Sequence, residues 1–163
     1  MEGVTLESII RASRNIGKVV TRTPLELNRH LSELYSANIF LKREDLQQIR
    51  SYKLRGALNR MLALTPEEKE IITASAGNHS QAVAFSCNYL KIPGTIFMPL
   101  TTPPQKRENT ERFGNGYVTV ELVGDDFDKA YEQAITVAED TQRTFIHPFN
   151  DPLIISGQGT IAK

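Results

Sequence analysis

The chain has 163 residues, 40% of them apolar, which is enough for one ordinary domain or two small lobes with a real core. Lys plus Arg and Asp plus Glu each number 19, so the formal net charge is zero and gives no reason to expect nucleic acid or a membrane surface as a partner. Cys87 is the only cysteine, which excludes an intrachain disulfide and fits a reducing cytosol; Met1-Glu2-Gly3-Val4-Thr5 has no basic, apolar leader pattern, and no apolar run reaches bilayer length.

Residues 5–16 read as a helix with Leu6, Ile9, Ile10 and Ile16 on its apolar side. Thr21-Arg22-Thr23-Pro24 breaks it. A second helix is expected over 25–35, with Leu27, Leu31 and Leu34 on one face, followed by a strand over 38–42. Leu54, Ala57, Leu58, Met61 and Leu62 then mark one face of a third helix, with Ser51 placed as its N-cap and Thr65-Pro66 as its stop.

From residue 71 the chain alternates. Strands are expected over 71–74, 94–98, 117–123 and 144–147. Helices are expected over 81–90, 103–113 with Gly114 at its end, and 127–138. Such alternation predicts a parallel sheet with crossover helices, and so an α/β fold. The expected division is 1–65 as the first part of a larger lobe, 66–147 as a small α/β lobe, and 148–163 as a return to the larger lobe. Residues 156–163 read as a loop opening into a helix that has barely one turn, so the chain is expected to be a piece of a longer protein.

Two places could carry chemistry. Lys53 lies in the first turn of the third helix, where the positive dipole end favours a neutral amine able to attack a carbonyl. Gly56 and Ala57 keep the surface beside it small, so that something bulky could approach. From placement alone the commoner reading is a solvated lysine near a helix end. Ser75-Ala76-Gly77-Asn78-His79 joins a strand to a helix. Its backbone N–H groups could cradle a carboxylate or phosphate, with Gly77 allowing close approach and Ser75 and Asn78 adding polar groups. Equally, Ser75 or Asn78 could simply cap the helix. His79 reads as structural rather than acid/base, Cys87 as core, and His147 receives no role. Lys42-Arg43-Glu44-Asp45 suggests an ion-pair cluster. No zinc, Walker or dinucleotide pattern is present.

Leu41-Lys42-Arg43-Glu44-Asp45-Leu46-Gln47 with Ser51-Tyr52-Lys53-Leu54-Arg55-Gly56-Ala57 resembles the cofactor-lysine segment of threonine dehydratases. Residues 73–81, Met98-Pro99, Thr102-Pro103, Phe113-Gly114, Gly124, Phe127-Asp128, Pro148-Phe149-Asn150-Asp151-Pro152 and 155–162 resemble that family's later motifs in order. The resemblance implies a fold-type-II pyridoxal-phosphate (PLP) enzyme, like the β subunit of tryptophan synthase, with a small parallel-sheet lobe and part of a larger α/β lobe. It implies that Lys53 bonds the cofactor and later transfers the substrate proton. Asn78 would hold the cofactor's ring hydroxyl oxygen, and Ser75, Gly77 and Asn78 would hold the substrate. The implied reaction takes L-threonine to 2-oxobutanoate and ammonia for isoleucine synthesis, in a cytoplasmic homodimer or homotetramer. L-Serine or another hydroxy-amino acid is the alternative substrate, and a non-catalytic α/β fragment the alternative from another class.

The sequence departs from the family pattern in four places. The phosphate-binding glycine loop and the group on the pyridine nitrogen belong beyond the Gly157-Gln158-Gly159-Thr160 segment, so neither is present. Ala76 stands where serine racemases carry a serine, which favours elimination over racemisation. Tyr52 stands where Phe is usual before the lysine. The link Glu67–Glu70 is short and lacks a glycine before Ile71.

Overall fold

Thr5 opens the first helix, α1 (Leu6–Ile16), through a reciprocal cap. Its hydroxyl accepts the Ser8 N–H at 3.2 Å, and the Ser8 hydroxyl accepts the Thr5 N–H at 3.0 Å. Ala12 and Ile16 are buried, Ile9 and Ile10 half-buried, and Leu6 faces out. This computed structural model describes residues 3–68 and 70–163. Met1 and Glu2, and Lys69 in the short Glu67–Glu70 link, lie outside the described residues.

The helix expected over 25–35 is corrected. Leu25–Leu27 forms strand β1, antiparallel to β2 (Phe40–Lys42), with Leu25 opposite Lys42 and Leu27 opposite Phe40. Pro24 cannot donate but its carbonyl accepts the Arg43 N–H, and the Asn28 N–H reaches Ile39, so a ladder takes the backbone groups that a helix would have used. Only α2 (Arg29–Leu34) is helical, started by the Asn28 side chain accepting the Leu31 N–H at 2.9 Å. Leu27 and Leu34 are exposed and form no buried face.

Helix α3 (Lys53–Met61) begins two residues after Ser51. Tyr52 occupies the N-cap position, while the Ser51 hydroxyl accepts the Lys53 N–H at 3.2 Å from one residue earlier. The helix stops before Thr65-Pro66, because the N–H groups of Ala63 and Leu64 turn to carbonyls three residues back and tighten the end.

The four expected parallel strands are present. β3 (Ile71–Ala74), β4 (Gly94–Met98), β5 (Val118–Leu122) and β6 (Thr144–Phe145) lie in the order β5-β4-β3-β6. Alternation assigns the two faces. Ile72, Ala74 and Phe97 meet α6 (Phe127–Thr141) through Ala134 and Ala138. Ile96 and Met98 meet Ala84 of α4 (Asn78–Leu90) and Phe113 of α5 (Pro104–Gly114). Helix α4 starts at Asn78, earlier than expected. Gly114 is the last residue of α5, and Asn115 takes the left-handed cap at φ 45°. A side chain at Gly114 would press within 3.1 Å of Val118 Cβ, so this glycine serves packing rather than the turn.

The loop expected over 156–159 is also corrected. Residues Pro152–Gly159 form helix α7, capped by Asp151, and Thr160–Ala162 continue as a 3-10 turn. Gly157 and Gly56 mark the crossing of α7 and α3. A Cβ on Gly157 would lie 2.5 Å from the Arg55 carbonyl oxygen and 2.6 Å from Gly56 Cα. The small surface at Gly56 and Ala57 therefore receives α7, not a ligand. The main core gathers Ile16, Leu54, Leu58, Val83 and Ile154 from α1, α3, α4 and α7. Beneath β2, the Arg55 guanidinium grips both oxygens of Glu44 at 2.7 and 2.8 Å, both side chains being nearly buried.

Candidate active site

Lys53 takes the first helical position of α3, and its side chain is half-buried. The ammonium nitrogen donates to the carbonyl oxygen of Pro148 at 2.8 Å and lies 5.7 Å from the centre of the Tyr52 ring. Among the described residues no carboxylate pairs with it. Burial holds its pKa below the ordinary lysine range, because the charged form loses water without gaining an anion. The start of α3 adds dipole pressure of the same sign.

Helix α3 packs along α4, which brings Lys53 toward the loop that feeds α4. That loop leaves the carboxyl end of β3. The Ser75 N–H is tied to Phe97, and the Ser75 hydroxyl accepts the Gly77 N–H at 3.2 Å. Gly77 is the N-cap, and no side chain caps the helix. The capping alternative for Ser75 and Asn78 therefore falls away. The N–H groups of Asn78, His79 and Ser80 find no acceptor among the described residues. The Asn78 side chain is exposed and makes no hydrogen bond within the described chain. A Cβ added at Gly77 would meet nothing within 4 Å, so the space over this backbone is open. Free amides at a helix start beneath open space are suited to an anion.

His79 lies under the loop, fully buried. Its Nε2 is 3.4 Å from the Ile146 carbonyl oxygen, which accepts the Thr73 hydroxyl as well. A carbonyl only accepts, so Nε2 carries the proton and Nδ1 is bare and unpartnered. Burial pushes its pKa down to about 3, so it is neutral at ordinary pH and structural, as the sequence suggested. Cys87 is buried in the core, and burial pushes its thiol up to about 12. The Lys42–Asp45 cluster resolves into Arg43 bridging Glu26 and Asp45, with Glu44 turned inward to Arg55 and Lys42 donating to the Thr23 carbonyl. No group of three or more His, Cys, Asp or Glu able to hold a metal exists among the described residues.

Sequence reasoning matched 148–152 to the family but gave the strap between β6 and α7, His147 included, no part in the site. Pro148 supplies the acceptor for Lys53, and His147 Nδ1 accepts the N–H groups of Phe149 and Asn150 at 3.1 and 2.8 Å. The available signal was a polar ring ahead of a proline, the setting in which a side chain closes a turn.

The sequence profile of the family described as Pyridoxal-phosphate dependent enzyme matches residues 16–163, which takes in Lys53, the 75–80 loop and the strap. The chain belongs to this family. It is 52% identical over 161 residues to the biosynthetic L-threonine dehydratase of Bacillus subtilis, covering 98% of this chain and 38% of that protein. The chain thus spans well under half the length of the curated relatives it matches. The processed form of threonine deaminase isoform 2 from Solanum lycopersicum superposes with a TM-score of 0.85 at 39% identity, over 98% of this chain and 45% of that one. Maize serine racemase superposes with a TM-score of 0.90 at 31% identity, over 98% and 48%. The α/β fold, with its small parallel sheet, is the one these family members share. Among the described residues no helix is long and apolar enough to cross a membrane.

Proposed function

We propose that this chain is the lysine-bearing part of a PLP-dependent dehydratase that converts L-threonine to 2-oxobutanoate and ammonia. The observation that carries the reading is the pairing of a half-buried amine lacking a carboxylate partner, Lys53, with the free first-turn amides of α4 under the open backbone of Gly77. An amine whose pKa burial lowers suits a carbonyl carbon, and the amides suit a carboxylate. The residues present therefore fit both the cofactor's aldehyde and an amino-acid substrate.

When bound, pyridoxal phosphate supplies the carbon to which an amine bonds and the ring that takes up the electron pair left when a proton is removed from Cα. Lys53 would hold the cofactor, and its Nζ, when free, would take the Cα proton of the substrate. Asn78 would hold the cofactor's ring hydroxyl oxygen with its side-chain amide. Ser75, Gly77 and the amides of Asn78 and His79 orient the substrate carboxylate, fixing which bond at Cα faces Lys53. The β-hydroxyl would leave as water with the proton taken from Cα, and hydrolysis, which consumes one water, would leave the net products 2-oxobutanoate and ammonia.

Residues 66–147 form the lobe that closes over the substrate in this proposal. Residues 1–65 and 148–163 share the other lobe, a division supported by the packing of α7 on α1 and α3. The working form is a cytoplasmic homodimer or homotetramer that feeds isoleucine synthesis. The test assays the full-length protein with PLP for 2-oxo acid release from L-threonine and L-serine, with reductive trapping of the cofactor followed by peptide mapping. The expected result is 2-oxobutanoate release with the label at Lys53 and a higher kcat/KM for threonine. A label at another lysine, or no release from either substrate, overturns the proposal. A higher kcat/KM for serine replaces threonine with serine.

A further inference from the structure

The strap between β6 and α7 crosses close to the Lys53 amine, and a single imidazole fixes its shape. His147 Nδ1 accepts the N–H of Phe149 at 3.1 Å and of Asn150 at 2.8 Å, two and three residues ahead. This is the pattern an Asn or Asp side chain makes when it closes a turn. The turn encloses Pro148, and its carbonyl oxygen stands 2.8 Å from Lys53 Nζ. The other side of the strap is also tied. The Ile146 N–H joins Ile72 at 2.8 Å, and the Ile146 carbonyl accepts Thr73 at 2.7 Å and His79 at 3.4 Å. The imidazole is walled by rings, with the Phe149 centroid 4.8 Å away and that of Tyr131, on α6, 6.0 Å away.

We propose that His147 is a positioning residue for Lys53, its unprotonated Nδ1 shaping the strap so that the Pro148 carbonyl holds the free amine in place. The carbonyl is a resting acceptor: it directs one N–H and so sets where the free amine's other hydrogen and lone pair point. The value of that orientation to catalysis rests on the proposed role of Lys53, but the contact itself does not.

The device depends on the imidazole staying neutral, since a proton on Nδ1 would face two N–H donors. Burial lowers the His147 pKa first of all, the charge of Asp151 raises it, and that of Lys53 lowers it further. His79, the other titratable ring nearby, is itself neutral. The net shift is downward from 6.5. The fold therefore favours neutral His147. The strap is intact at pH 6.5 and above, and opens only as pH falls through the lowered His147 value.

Two measurements on the full-length protein freed of cofactor test this. The first is the rate at which trinitrobenzenesulfonate modifies Lys53, followed by peptide mapping across pH 7–10, with Tm recorded for each variant. The Pro148 carbonyl favours the ammonium form, so losing it lowers the Lys53 pKa. His147→Ala is expected to move the profile to lower pH and speed labelling severalfold at a fixed pH below the midpoint. His147→Asn, whose side-chain oxygen can accept both N–H groups, is expected to restore the wild-type profile. An alanine profile equal to wild type overturns the proposal, and so does an asparagine profile equal to that of alanine. The second is nitrogen NMR of wild-type protein. It is expected to find Nδ1 unprotonated at pH 6.5 and above, with the Phe149 and Asn150 amides protected from exchange there and exposed only at lower pH. A protonated Nδ1 at pH 8 overturns it without any variant. If these results hold while Lys53→Ala leaves turnover intact, the proposed function fails and the strap does not.

Discussion

Lys53 Nζ and the carbonyl oxygen of Pro148 stand 2.8 Å apart across 95 residues of sequence. The contact closes the space between the start of α3 and the far end of the parallel sheet. The Lys53 charge is also felt at His79, in the first turn of α4. An amine here has a carbonyl to rest on and no anion to neutralise, which keeps it available.

Replacing Lys53 with alanine tests that availability. The side chain is half-buried, and its polar contact is one carbonyl that can turn to water. Its loss is expected to change folding stability by no more than about 0.5 kcal/mol. Release of 2-oxobutanoate by the full-length protein is expected to fall by at least about a thousandfold, within the range for removal of a group that transfers protons. Turnover and denaturant midpoint measured on one preparation check both halves. Turnover within tenfold of wild type would remove Lys53 from the mechanism.

Gly157→Ala addresses the α3–α7 crossing. The added methyl would lie 2.5 Å from the Arg55 carbonyl oxygen and 2.6 Å from Gly56 Cα, and backbone cannot yield as a flexible side chain can. The expected cost is about 1–3 kcal/mol, typical of overpacking. Gly3→Ala has open space around it and serves as a control. Thermal denaturation of both variants checks the contrast; equal melting temperatures would mean the helices slide apart freely.

Legibility in the sequence followed the range of the forces involved. The sheet was readable because β3 and β4 bury both faces, and the caps between elements are local. Residues 25–27 were misread because leucine spacing fits a helix, while the ladder to Phe40–Lys42 is a tertiary choice. Gly157 and Gly159 looked like loop glycines because spacing does not record that another helix presses on them. Lys53, Ser75, Gly77 and Asn78 were all singled out, but the packing around them was not visible in spacing. It depends on α3 lying along α4 and on the Pro148 strap.

The Arg55–Glu44 pair gives a prediction with a pH signature. Burial raises the Glu44 pKa, and hydrogen bonds from Arg55 and Thr23 together with the Arg55 charge more than reverse this, leaving it below 4.5. The carboxylate therefore stabilises the fold fully above pH 4.5, and that contribution is lost as pH falls through the lowered value. Arg55→Met strands the carboxylate in a nearly dry site and is expected to cost about 3–5 kcal/mol at pH 7. The deficit should shrink on acidification, because protonated Glu44 no longer needs a cation. Arg55→Met combined with Glu44→Gln should recover part of the loss. Urea midpoints at pH 7 and pH 4 decide, and a deficit that is the same at both sinks the assignment.

Ala76 bears on which product leaves the site. It sits half-buried between Ser75 and Gly77, beside the free amides of α4, and a methyl group there can neither give nor take a proton. The family resemblance implies a serine at the matching place in serine racemases. The Ala76 side chain packs against the cluster of Ala84, Ile96 and Met98, and a serine there adds one hydroxyl oxygen. Ala76→Ser in the full-length protein is expected to yield D-serine from L-serine alongside pyruvate, whereas the parent yields pyruvate alone. Chiral chromatography of the product mixture reads the ratio directly. If the variant makes no more D-serine than the parent while its pyruvate release is unchanged, the residue facing that side of the substrate is not the one at position 76.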